Sequence, residues 1–457
     1  MQGLGDRFTF YAQRVCEFVM AKCDQYREEE GPTFNLGESY AESALIAGRI
    51  QYRLDRLVFV LWSRMQHLFP RASGLKVTLG FTCMIPDVVN LDIMIWPAKL
   101  KHFDLSTEGH GPASFGLGLA RNLLGAAGHM ESFAVRDIGS PLGEIEEWTA
   151  LAGRFISHTS QLREWTTAWP LPLPDMIRLC SRCSLQILRI GKITELLPAP
   201  TAVVLPDSAL ASLHTLRLED DSVDARVAHA LLNSVGNHLR TVHVYLDFPH
   251  TIVSDVFTSI AEHLANHQQL VEIKLNGYGF ASTKAPNTIN EHQSLALSTR
   301  IFAAFGRLSE LEVLDIRTKL NMSINITIVR QLLAACPRLR YWKVTLVSCE
   351  GFNGQTRGLT CTVPFADFLA LLRTHSKVEQ LPLWVDITDY ALVSPELAPM
   401  GGQLTYGPHL LLACTNSTIF DAFAKVATGF LPRVGKLLCP DLNWWADSSS
   451  LTDWDTQ

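Results

Sequence analysis

Cys180 and Cys183 form a Cys-Ser-Arg-Cys motif, a spacing that suits either a zinc site or a redox pair. Zinc would need a second pair of ligands at comparable spacing, and the next cysteine is Cys336. A dithiol redox motif needs a thioredoxin-like strand–helix–strand setting, which the flanking sequence lacks. The expectation is therefore two ordinary thiols at the end of a helix. The segment TEGHGPASFGLGLARNLL follows a strand and enters a helix, as a phosphate loop would. Its glycines, Gly109, Gly111, Gly116 and Gly118, fit neither G-x-G-x-x-G nor the Walker pattern, and no lysine follows them. It reads as a glycine-rich turn. Fifteen histidines are scattered without forming H-E-x-x-H or H-x-E with C-x-x-C, and no G-x-S-x-G elbow is present. Gly401-Gly402 falls in a loop. No catalytic residue, metal ligand or cofactor site is assigned, and an enzyme is not expected.

A second set is more coherent. Arg189, Arg217, His243, Lys274, Asp315 and Lys343 occupy the same place in successive copies of one pattern, Leu-x-x-Leu-x-Leu. The pattern is clear in LHTLRL (Leu213, Leu216, Leu218) and in LRTVHV (Leu239, Val242, Val244). It returns in LVEIKL (Leu270, Ile273, Leu275) and LEVLDI (Leu311, Leu314, Ile316). Alternation along a strand turns the apolar positions to the core and the residue between the last two outward. Parallel strands lie about 4.8 Å apart, so these outward residues would stack into one column, mostly basic. Tyr245, Arg317 and Tyr341 flank it. Two readings stay open. The column is a groove for an acidic or phosphorylated peptide, or it is an ordinary solvated strand face.

The elements that must position such a column follow from the spacing. The first apolar position of each unit falls at Leu100, Met130, Leu162, Leu185, Leu213, Leu239, Leu270, Leu311, Leu339 and Val378. The intervals are 30, 32, 23, 28, 26, 31, 41, 28 and 39 residues, near those of a leucine-rich repeat but irregular. Helical periods fill the gaps in ARVAHALLNSVGNHL, SDVFTSIAEHLANH, NITIVRQLLAACPRL and PFADFLALLRTH, with Ser254 read as an N-cap. The proline-rich ELLPAPTAVVLPDSAL reads as an extended return. GYGFASTKAPNTINEHQS and SCEGFNGQTRGLTC read as loop insertions. The expected fold is an α/β solenoid of irregular leucine-rich repeats, with parallel strands on a concave face and helices on the convex face. Residues 1–70 are expected to be a mainly helical cap, 71–438 the solenoid, and 439–457 a C-terminal cap and polar tail. In that tail Trp444 and Trp445 would cover the last core edge.

Bulk properties agree with a folded binding module. Of 457 residues 47% are hydrophobic and 18% charged, enough for a core and too apolar for global disorder. The net charge of −6 argues against a nucleic-acid partner, which requires a basic face. No apolar run approaches a membrane span, and the N-terminus lacks the charged and apolar regions of a signal peptide. Ten scattered cysteines point to reduced thiols, so an intracellular location, cytoplasmic or nuclear, is expected. Glycosylation sequons begin at Asn321, Asn325 and Asn416 and carry no weight without secretion.

Several segments together resemble fungal F-box proteins with leucine-rich repeats, of the kind found in mushroom-forming species. They are DRFTFYAQRV at residues 6–15, HLFPRASGLKV, LRIGKI, LHTLRLED, LEVLDIR and LLAACPRLRYWKV. The resemblance implies a substrate-binding part of an SCF-type ubiquitin ligase adaptor, with catalysis left to partners. It also implies docking to the Skp1 adaptor and a cullin, provided an F-box is present. Only a few residues precede FYAQRV, so the F-box is expected to be missing or truncated. The turn asparagine of the common repeat is also replaced, by Asp221 in one unit and Tyr278 in another. The alternative reading is a stand-alone scaffold or inhibitor with no ubiquitin link.

Overall fold

The computed structural model describes residues 17–21, 73–79, 100–107, 121, 123–136, 145–182, 184–194, 205, 209–247, 253–278, 291–318, 322–346, 361–390, 409–414, 416–430, 436–439 and 444–447. The chain is α/β and divides into two compact units. The first is Met1–Thr201 with Leu205–Leu213, and the second is Ala202–Val204 with His214–Gln457.

Among the described residues, unit 1 carries six strands that pair in chain order. They are β1 (Glu17–Ala21), β2 (Gly74–Leu79), β3 (His102–Thr107), β4 (Ser132–Arg136), β5 (Glu164–Pro172) and β6 (Ile187–Thr194). All five pairings are parallel. Its described helices are α1 (Ile145–His158) and α2 (Leu173–Arg182), with a 3-10 turn at Leu124–His129. Unit 2 continues the pattern with β7 (Thr215–Asp224), β8 (Thr241–Asp247), β9 (Glu272–Tyr278), β10 (Val313–Thr318) and β11 (Tyr341–Leu346), again parallel and in chain order. Between them run α3 (Ala225–Asn233), α4 (Val253–Leu264), α5 (Glu291–Phe305) and α6 (Ile326–Ala335). A second sheet follows: β12 (Thr362–Pro364), β13 (Trp384–Asp386), β14 (His409–Ala413), β15 (Lys436–Cys439) and β16 (Trp444–Asp447), with α7 (Phe365–Thr374) and α8 (Ser417–Phe430).

Parallel strands that pair in chain order, joined by crossovers of one hand, have those connections on one face of the sheet. Burial shows the result. Leu213, Leu216 and Leu218 are buried, as are Leu239, Val242 and Val244, and the same holds through Leu270, Ile273, Leu275 and Leu311, Leu314, Ile316. In unit 1 the middle position holds a ring. Phe103, Phe133 and Trp165 stack at centroid separations of 5.7 and 5.0 Å across β3, β4 and β5. The other face of each strand is only partly covered and is termed the open face below.

Within each unit a backbone ladder holds successive strands in step. The residue after each leading apolar position donates to the carbonyl of the equivalent residue before the preceding strand. In unit 1, Lys101 N reaches Ser73 O, Glu131 N reaches Lys101 O, Arg163 N reaches Glu131 O and Gln186 N reaches Arg163 O. In unit 2, Arg240, Val271, Glu312, Arg340 and Glu379 repeat the contact on His214, Arg240, Val271, Glu312 and Arg340. Each of these bonds is 2.7–2.9 Å long. The donors at each strand entrance are thereby satisfied by backbone rather than by a consensus side chain.

Four expectations need adjustment. Glu17–Ala21, inside the stretch read as mainly helical, is a strand paired with β2. A short apolar run such as Phe18-Val19-Met20 has no period by which to tell the two apart. The rest of 1–70 lies outside the described residues. Helix α4 begins at Val253, so Ser254 sits inside its first turn rather than capping it. Helix α5 begins at Glu291, inside the segment read as a loop insertion. The unit led by Val378 forms no strand beside β11. Gln380 makes a single bridge to Tyr341, and Pro382, with no N–H to give, follows at once. At the C-terminal end β16 pairs antiparallel with β15, Trp445 opposite Leu438 and Trp444 opposite Cys439. In α6, Asn325 accepts from Ile328 N at 2.9 Å, which makes this sequon asparagine an N-cap.

Candidate functional site

The parallel register of unit 2 sets the outward residues in rows. Arg217 pairs with His243, His243 with Lys274, Lys274 with Asp315, and Asp315 with Lys343. Two residues further along, Tyr245, Asn276, Arg317 and Thr345 form the next row. Two residues before, Thr241, Glu272, Val313 and Tyr341 form another. Five of the six column residues, and all three flanking ones, thus share one open face. Arg189 belongs to unit 1, in register with Thr166, Ala134, Asp104 and Lys76.

The charges are more balanced than a basic column would be. Glu272, which the spacing did not single out, puts Oε1 2.6 Å from Lys274 Nζ and 3.0 Å from His243 Nε2. Burial acts to raise its carboxyl, but the Lys274 ammonium, with His243 beside it, holds it below the usual range. His243 is only 7% exposed. Burial, reinforced by Arg217 and Lys274, keeps its imidazole below its ordinary pKa, while Glu272 pulls the other way. His243 is therefore held toward its uncharged form at neutral pH, with its Nε2 beside the Glu272 carboxylate. Arg317 lies 3.5 Å from Asp315 Oδ2. Lys343 forms no ion pair with a described residue. In unit 1 the equivalent face carries Arg136 at 3.4 Å from Asp104.

Such a surface can bind. Arginine and lysine heads offer charge and hydrogen-bond donors to carboxylate or phosphate. Tyr245 and Tyr341 stand in the rows on either side. Among the described residues no group of three His, Cys, Asp or Glu is arranged to hold a metal ion. No described helix is long and apolar enough to cross a membrane. A groove of about 210 Å³ between α5 and α6, lined by Phe302, Ile328 and Leu332, falls below the usual size for a small-molecule pocket.

Of the motifs weighed for chemistry, Cys180 is buried near the end of α2. Cys183, the glycine-rich segment from Gly109 to Gly118 and Gly401-Gly402 lie outside the described residues. Sequence reasoning missed a cluster of imidazoles. His267 Nε2 lies 3.4 Å from His263 Nε2, and the His263 ring is 6.2 Å from that of His229. The spacing of four between positions 263 and 267 was visible in a segment of helical period, although α4 ends at Leu264 and His267 lies just beyond it.

Neither the models of known families nor the curated proteins contain a match to this chain.

Proposed function

We infer that the chain is a recognition module of irregular leucine-rich repeats whose open face in unit 2 binds an acidic or phosphorylated segment of a protein partner. The row from Arg217 through His243 and Lys274 to Lys343 is the observation that supports this reading. Arg217, Lys274 and Lys343 outnumber the one acid of that row, Asp315, on the open face of a chain that is acidic overall. Binding energy would come from a few charge-assisted contacts, with the tyrosines adding area. The resemblance to fungal F-box proteins gives such a module a setting, substrate selection for a cullin-type ubiquitin ligase.

Capture of the tagged full chain from its own cells, followed by mass spectrometry, tests this. Wild type is compared with the R217E/K274E double variant, with and without a proteasome inhibitor. The expected result is a set of partners held by wild type and lost by the variant. Co-recovery of Skp1 and a cullin, with partners enriched by the inhibitor, supports the ligase setting. Partners without ligase subunits leave a stand-alone scaffold or inhibitor. A partner set identical in wild type and variant overturns the role of the row.

A further inference from the structure

Two carboxyl or amide oxygens on the open face of unit 2 have no donor among the described residues. Asn276 is 4% exposed, yet its Oδ1 has no hydrogen-bond partner. Asp315 meets Arg317 through Oδ2, and its Oδ1 is likewise buried and unpartnered. Alternation along β9 turns Asn276 to the same side as Lys274, away from the buried Ile273 and Leu275. Asp315 pairs in register with Lys274, and Arg317 with Asn276, so the two acceptors are diagonal neighbours on adjacent strands. Such neighbours lie about 7–8 Å apart, within reach of one ligand group or of two adjacent ones.

An amide oxygen kept from water without a donor is costly, and folded proteins leave few. A site that reads a ligand N–H carries such an acceptor, and rejects a ligand that leaves it unpaired. Arg317 is placed to cover both acceptors and to uncover them. Its side chain is 41% exposed, it neighbours Asn276 in register, and its 3.5 Å contact with Asp315 is longer than a charge-assisted hydrogen bond. One rotamer change would open the notch.

Charge sorts the two ends of a ligand. Arg217 and Lys274 attract an anion, whereas Asp315 repels one and attracts a cation. We propose that Asp315, within the cationic row, and Asn276, in the next row, form a donor-reading subsite, so that the bound peptide carries an amide or cationic N–H side chain next to its acidic one. This rests on the anionic-peptide reading above. The rows are two strand residues, about 6–7 Å, apart, which in an extended peptide is also two residues.

The test uses the full chain and two pools of short fluorescein-labelled peptides, each with a central phosphoserine. One pool fixes Asn, Gln, Lys or Arg two residues from the phosphoserine on either side; the other fixes norleucine there. Wild type is expected to bind the first pool about tenfold more tightly. N276L should bind both pools alike, at the affinity wild type shows for the norleucine pool, and should unfold at the same or higher urea concentration. N276D, which keeps an acceptor, should restore the preference. D315N should lose the advantage of Lys and Arg over Asn and Gln, and it decides the matter if N276L does not fold. Equal binding of both pools by wild type, or a preference unchanged in N276L or D315N, overturns the subsite and leaves the anionic reading standing. Binding of neither pool overturns both.

Discussion

His229, His263 and His267 are held together by α3, α4 and the turn that follows. His229 Nε2 lies 3.2 Å from Ser259 Oγ, and His263 Nε2 donates to Leu232 O at 2.8 Å. Burial first, then the neighbouring His263, keeps His229 and His267 below the ordinary value of 6.5. A histidine depressed in the folded state contributes stability above its unfolded pKa and loses it as pH falls through the folded value. Urea unfolding should therefore show stability falling from pH 7 to pH 5, and H229N/H267N should flatten that slope. A slope unchanged in the variant would contradict this. The carboxylates do not blur the window, because Glu272 and Glu131 are lowered from 4.5 and lose their contribution only below it. The thiols give a second residue-scale prediction. Burial pushes Cys336 and Cys361 up to about 11, and Cys336 also donates to Phe305 O at 3.4 Å. Both should resist iodoacetamide at pH 8 in the folded protein and react once it is unfolded, as peptide mapping would read. Labelling of either in the native state would show the packing to be wrong.

At the scale of elements, the strands were legible because their period is simple. Every leading position from Leu100 to Leu339 precedes a strand, and the apolar residues of each cadence are buried. The helices α3, α6 and α7 fall within their periodic segments, whereas α5 was obscured by the proline and glycine before it. The open face was half legible. Alternation placed Arg217, His243, Lys274, Asp315 and Lys343 in one row, but Glu272 belongs to the row before it, beside Lys274 on the same strand, and the register of β8 on β9 brings its carboxylate onto His243 as well. Asn276 was missed for a different reason: an unpartnered oxygen is a property of packing, and no spacing reveals it. Irregularity also has consequences that spacing hides. The bulge in β5 between Thr167 and Pro170 carries the Ala168 backbone onto β6, so that a Cβ at Gly191 would lie 2.4 Å from Ala168 O. Gly191→Ala should destabilise unit 1 by about 1–3 kcal/mol in denaturant unfolding. A neutral effect would mean that the two strands separate more easily than drawn.

Across the whole molecule, the same ladder and the same burial recur in both units, yet the chemistry is uneven. The unit 2 open face gathers most of the predicted column and the two unpartnered acceptors, while the corresponding row of unit 1 contains Ala134 and Thr166. A scaffold of repeated backbone contacts fixes side-chain rows cheaply, and function then depends on what each row presents. In the proposed account unit 2 is the reading surface, and its affinity is electrostatic at first encounter and specific at the notch. Fluorescence anisotropy of a phosphoserine peptide pool against wild type and R217E/K274E tests that claim most directly, with circular dichroism to show that both fold. The account predicts binding by wild type that weakens as salt rises, and a loss of at least about tenfold in the double variant. Equal affinity for both proteins, or no binding by wild type at low salt, would contradict it.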